Sequence, residues 1–145
     1  MNILMGIGNV LKGDDGIGCY IAKNLEEKNW LSLDCGTAPE NFTSVIRKNK
    51  PEILVIVDAA DMGIDAGVFR IVSEEKIENI GISTHNMPLS FLINYLKDSA
   101  NRIIFIGIQP KTIRDSDKIS EKLKKSAEQL KEILREGRFE EIETL

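Results

Sequence analysis

Short apolar runs alternate along this chain with longer segments in which apolar residues recur every three or four positions. That alternation is expected of an α/β domain, where strands lie buried between helices. "NILMGI" reads as a first, buried strand. From Asp15 to about Trp30, the residues Ile17, Tyr20, Ile21 and Leu25 mark an amphipathic helix. "LSLDC" predicts a second strand, and "APENFTSVIRKN" a helix with Phe42, Val45 and Ile46 as its apolar stripe. "ILVIVDA" is the strongest strand in the sequence, continuous and β-branched, as a strand covered on both faces would be. "GVFRIVS" alternates more and suits an edge strand. Pro88 fits a first helical turn, and Leu89, Leu92, Ile93 and Leu96 supply that helix's buried stripe. "RIIFIGI" predicts a last strand. A final helix starts near Asp117, carries Ile119, Leu123, Ala127, Leu130 and Leu134, and ends at Gly137. The tail beyond about residue 137 is polar and expected to be mobile. With no repeat, linker or low-complexity stretch, the 145 residues read as one domain spanning 1–145.

Composition narrows the function classes. The chain is 42% hydrophobic and 29% charged, a balance that folds. Its net charge is −4 and it has no basic block, so no nucleic-acid partner is expected. The late lysines in "SEKLKKSAEQLKE" interleave with glutamates as a solvated helix face does. No apolar run reaches the roughly 18 residues that cross a bilayer, so no membrane association is expected. "MNILMGIG" has no basic leader, and two cysteines are too few for a disulfide framework. The expectation is a reduced, cytoplasmic setting, with Cys19 and Cys35 as small buried side chains.

The chemistry concentrates in "MGIGNVLKGDDGIG", residues 5–18, where glycines flank two adjacent aspartates just after a strand. The stretch lacks the GxxxxGK[ST] spacing, and the position three after Gly8 is Leu11, so GxGxxG is missed as well. Asp14 and Asp15 would also repel an anion. A phosphate cradle is therefore disfavoured, though a nucleotide-binding α/β domain stays a rival. Helix capping is the plain role for adjacent aspartates at a helix start. Asp58 closes the strongest strand, where open α/β sheets bind their ligands, and Asp61 reads as a turn residue. His85, the only histidine, sits in "STHNMP", a polar connection entering a helix.

If the first and third strands are parallel neighbours, Asp15 and Asp58 emerge at one edge of the sheet. Two carboxylates about 4 Å apart repel by about 4 kcal/mol at an effective dielectric near 20. A divalent cation removes that penalty, and two carboxylates with one imidazole form a reasonable first set of ligands with a position left open.

"GIGNVLKGDDGIG", "APEN", "IVDAADMG", "THNMPL" and "IGIQP", in that order, resemble the hydrogenase maturation endopeptidases, in particular the branch serving the hydrogenase 3 type of large subunit. The resemblance implies a three-layer α/β/α fold with a five-stranded, mostly parallel twisted sheet. It implies proteolysis of a [NiFe]-hydrogenase large-subunit precursor at its C-terminus after nickel insertion. It also implies a metal-contact set that falls here on Asp15, Asp58 and His85. Part of the family has Glu at the first position, and the shorter Asp15 would draw the metal closer to the helix start. "KTIRDSDKIS" matches the family poorly, and no role is carried onto it.

Asp15, Asp58 and His85 are also the candidate catalytic residues. Any of them could act as general base, but not while fully engaged as a ligand. The family is often grouped with aspartic-type proteases, yet a DTG-like motif is absent. One histidine with no nearby cysteine is a thin shell for storing nickel, so the nickel is expected to belong to the substrate. A nickel-sensing or nickel-carrying module without hydrolysis is the alternative.

Overall fold

The most continuous apolar runs became the central strands. The computed structural model describes residues 1–82 and 87–145. In chain order the elements are β1 (Asn2–Ile7), α1 (Ile17–Asn24), β2 (Trp30–Gly36), α2 (Thr43–Asn49), β3 (Ile53–Asp61), β4 (Phe69–Ile71), β5 (Gly81–Ile82), α3 (Leu89–Leu96), β6 (Arg102–Ile108) and α4 (Glu121–Glu136). The strands lie in the order β2-β1-β3-β6-β4. β1 pairs in parallel with both β2 and β3, β3 pairs in parallel with β6, and β4 runs antiparallel along β6 at the edge. These are the five strands expected. The sixth, β5, is a two-residue strand antiparallel to the end of β3.

Side-chain alternation along the buried strands fills both faces of the sheet. Val55, Val57 and Ala59 of β3 face a core shared with Ile17 and Ile21 of α1 and Leu123, Ala127, Leu130 and Leu134 of α4. Leu54 and Ile56 face the other core, with Ile46 of α2 and Leu89, Leu92, Ile93 and Leu96 of α3. Two helices on each face make the three layers. Every stripe read from the sequence has a buried side, with Tyr20, Phe42, Val45 and Ile119 partly buried.

The helix ends differ from the pattern. The first helix begins as a 3-10 turn, Gly13–Gly16, and leaves helical geometry at Leu25 rather than near Trp30. The last helix starts four residues after Asp117, with Ser120 as its N-cap, and Gly137 (φ 67°) terminates it in the left-handed conformation expected of such a glycine. The tail beyond Gly137 is docked. Phe139 and Ile142 are buried, and the Ile71 N–H donates to the Glu143 carbonyl (2.9 Å) while the Leu145 N–H donates to the Ile71 carbonyl (2.8 Å). The tail thereby covers the edge that β4 would otherwise present. Its apolar residues, Phe139, Ile142 and Leu145, recur every third position over a stretch too short to mark an element. No helix among the described residues is long and apolar enough to cross a membrane.

Candidate active site

The glycines of the opening stretch bring α1 down onto the sheet. A Cβ on Gly18 would run into the carbonyl oxygens of Ile7 and Val57, and one on Gly6 into the carbonyl oxygen of Gly18. With bare backbone at both positions, α1 sits against β1 and β3 at the place where those strands end. The 3-10 turn that carries Asp14 and Asp15 packs against β3 as a result.

Strand order reverses here. From β1 the chain passes to β2 on one side and then to β3 on the other, so β1 and β3 flank the topological switch point. In open α/β sheets, this is the crevice where ligands bind. The two strands are parallel neighbours, with Gly6 opposite Val57, which meets the condition set for Asp15 and Asp58 to share an edge.

Both carboxylates are buried, Asp15 at 1% exposure and Asp58 at 0%. One Asp15 oxygen accepts the Asn9 N–H (3.0 Å), tying the turn to the loop that leaves β1. Asp58 Oδ1 accepts the N–H of Ala59 (2.8 Å). A buried carboxylate is retained only where donors, opposite charge or a cation compensate its lost hydration. His85 lies outside the described residues. Among those described, no three His, Cys, Asp or Glu side chains form a group able to hold a metal.

The capping role considered for the two aspartates is not what they do. No side-chain cap bond forms at Lys12, before the 3-10 turn, or at Gly16, before α1. Asp14 turns away to the loop between β6 and α4. Its Oδ2 accepts the N–H groups of Lys111 (2.9 Å) and Thr112 (3.1 Å) and the Ser120 hydroxyl (2.9 Å). Its Oδ1 accepts the Ser120 N–H (2.7 Å). Asp61 is the turn residue expected, accepting the Gly63 N–H (3.2 Å).

A cysteine does lie close by, contrary to expectation. Cys19, on α1, points its thiol at the carbonyls of Gly8 (3.5 Å) and Gly6 (3.8 Å). Burial, and after it a hydrogen bond to and the charge of Asp34, push its pKa well above the ordinary thiol range, and Asp58 adds to this. Burial also raises Cys35, to about 12. Both are held as neutral thiols at physiological pH, which makes them inert as nucleophiles. Small buried side chains is the role expected of them.

Sequence reasoning passed over two other groups at this rim. Gln109, just beyond β6, accepts the Met62 N–H through Oε1 (2.6 Å) and donates from Nε2 to Asp61 (3.1 Å), fastening the β3 and β6 ends together. A polar residue directly after the apolar run "FIGI" was the available signal. The Asn9 side chain accepts the Leu11 N–H (3.0 Å) and shapes the loop above Asp15.

A mostly parallel sheet between helix layers, with two buried acids beside its switch point, defines an open α/β domain. Comparison with known proteins gives that class a family. Residues 18–136 match the family model described as HycI, hydrogenase maturation protease. The hydrogenase 3 maturation protease of Escherichia coli K12 is 43% identical over 113 residues, 75% of this chain and 72% of that protein. A putative hydrogenase maturation protease of Methanocaldococcus jannaschii is 42% identical over 140 residues, 88% and 82% of the two chains. The crystal structure of a hydrogenase 3 maturation protease superposes with a TM-score of 0.90 at 35% identity, covering 100% of this chain and 96% of that one. The chain belongs to the hydrogenase maturation protease family, as the ordered motifs had indicated.

Proposed function

We propose that this protein is the endopeptidase that removes the C-terminal extension of a [NiFe]-hydrogenase large-subunit precursor once nickel has been inserted, and that Asp15, Asp58 and His85 recognise the nickel held by that substrate. The observation that carries the reading is a pair of buried carboxylates beside the switch point, Asp15 on the 3-10 turn that follows β1 and Asp58 in the C-terminal half of the parallel neighbour β3. Family membership supports the reaction type, and the relatives' names support the substrate class.

The donor set suits a substrate-borne ion better than a stored one. Two carboxylates and one imidazole are modest ligands for nickel. An ion arriving with the precursor neutralises two acids that are each buried, so filled precursor gains binding energy that empty precursor lacks. The same contact fixes the scissile peptide against the rim, which is the positioning contribution to catalysis.

Removal of the tail needs attack of water on a peptide carbonyl. A carboxylate or imidazole that is not tied up as a ligand takes the proton from that water. With the ion shared between enzyme and substrate, one of the three side chains serves as base while the others hold.

Intact-mass analysis of nickel-loaded precursor tests this reading. Wild-type protein is expected to release a C-terminal fragment, and Asp58→Asn and His85→Ala, verified as folded, are expected to release none. Binding of loaded precursor without any loss of mass would instead support the nickel-sensing module. Retained cleavage by His85→Ala would remove the histidine from the site.

A further inference from the structure

The carboxylate of Asp14 is heavily engaged, and the donors it accepts from all lie on one distant segment. It is 1% exposed and accepts four hydrogen bonds, from the Lys111, Thr112 and Ser120 N–H groups and the Ser120 hydroxyl, at 2.7 to 3.1 Å. These donors span the loop between β6 and α4 and reach the N-cap of α4 itself. The backbones of the two segments are stitched as well. The Gly13 N–H donates to the Ser116 carbonyl (2.8 Å), the Asp14 N–H to the Thr112 carbonyl (3.0 Å), and the Ser116 N–H to the Leu11 carbonyl (3.1 Å).

We propose that Asp14 is a positioning residue for Asp15: by gathering the 111–120 loop onto the 3-10 turn, it fixes the turn and so holds the neighbouring carboxylate at the switch-point crevice. The two aspartates divide the work because consecutive side chains on a tight turn cannot face the same way. Asp14 faces the loop, and Asp15 faces back towards the Asn9 N–H. The turn is short, four residues, and no side-chain cap bond supports either of its ends. The loop therefore adds to the hold that the Asn9 N–H and the packing on β3 give Asp15, and the loop in turn depends on the acid that collects its donors. This gives "KTIRDSDKIS", which carries no family motif, a function in the site. What it must provide is backbone N–H groups and one hydroxyl at the right places.

Asp14→Asn tests this, because the amide keeps the shape but turns N–H groups towards N–H donors. The proposal rests on the reading of Asp15 given above, so one arm of the test is independent of activity. Amide hydrogen exchange on the full chain is expected to speed up about tenfold in both segments 8–17 and 109–120, with segment 53–59 of the central strand unchanged. Ser120→Ala, which removes a single donor, is expected to produce the same pattern more weakly and serves if Asp14→Asn does not fold. In the second arm, kcat for nickel-loaded precursor falls at least about tenfold while KM changes less than about threefold, measured well below the melting temperature. Faster exchange confined to 109–120, or acceleration equal in every segment, would overturn the positioning role. So would an unchanged kcat. If wild-type protein cuts no precursor at all, the endopeptidase reading fails, and the exchange pattern still decides whether Asp14 holds the turn.

Discussion

Gly18→Ala is the sharpest test of how this fold delivers its site. The substitution places a methyl where the carbonyl oxygens of Ile7 and Val57 already stand, with the Ile7 nitrogen at 2.7 Å. All three obstacles are backbone atoms of two central strands, so no side chain can swing aside. Overpacking a core costs about 1–3 kcal/mol, and rigid obstacles put this case at the upper end. Alanine's better helix propensity returns up to about 1 kcal/mol, because Gly18 lies inside α1. The net expectation is a loss of about 2 kcal/mol, or a fall of about 4–8 °C in Tm for a chain of this size. Urea unfolding followed by circular dichroism measures the first, and calorimetry the second. Relief by lifting α1 off the sheet would carry the Asp15 turn with it, so precursor cleavage should fall by more than stability alone explains. A variant as stable as wild type, or stabilised by its propensity gain, would refute the close approach.

Leu96→Ala should cost about 2–5 kcal/mol by urea unfolding, since Leu96 is 0% exposed in the core beneath α3. Truncation after Gly137 removes the buried Phe139 and Ile142 and should lower stability by about 3 kcal/mol or more, where a mobile tail would cost nothing. Cys35 has its folded pKa raised to about 12, against about 8.5 when unfolded, so its contribution is full below pH 8.5 and lost as pH rises towards 12. Wild-type stability should accordingly fall more steeply between pH 9 and 11 than that of Cys35→Ala, by at most about 1.4 kcal/mol per pH unit. Both thiols should resist a disulfide reagent at pH 8 until the chain is unfolded, as titration of released thiolate would report.

Period and apolar continuity made most of the fold legible in the sequence. "ILVIVDA" announced a strand covered on both faces, and the alternation in "GVFRIVS" marked the edge where β4 lies. The helix stripes followed from spacing alone. What the sequence withheld were contacts between distant segments. The N-cap of α4, Ser120, donates its N–H to Asp14, more than a hundred residues away, and no local signal at Asp117 or Ser120 carries that contact. The docked tail depends on pairing with β4, and β5 on two residues that have no pattern of their own. Of the candidate site, the burial of Asp15 and Asp58 beside the switch point could be anticipated, because each closes an apolar run or follows one. Gln109 was marked only by its place directly after "FIGI", and the partners of Asp14 were not marked at all, because hydrogen bonding between loops leaves no period in the sequence. The nearness of Cys19 was hidden by the tightness of the Gly6–Gly18 approach.

The central claim is that the acids and the histidine recognise nickel carried by the substrate. The most direct measurement is a digest of two matched precursor samples, nickel-loaded and nickel-free, with C-terminal shortening followed by mass over time. The account predicts trimming of the loaded precursor alone, and trimming of the empty one once nickel is restored to it. Equal trimming of both samples would contradict it.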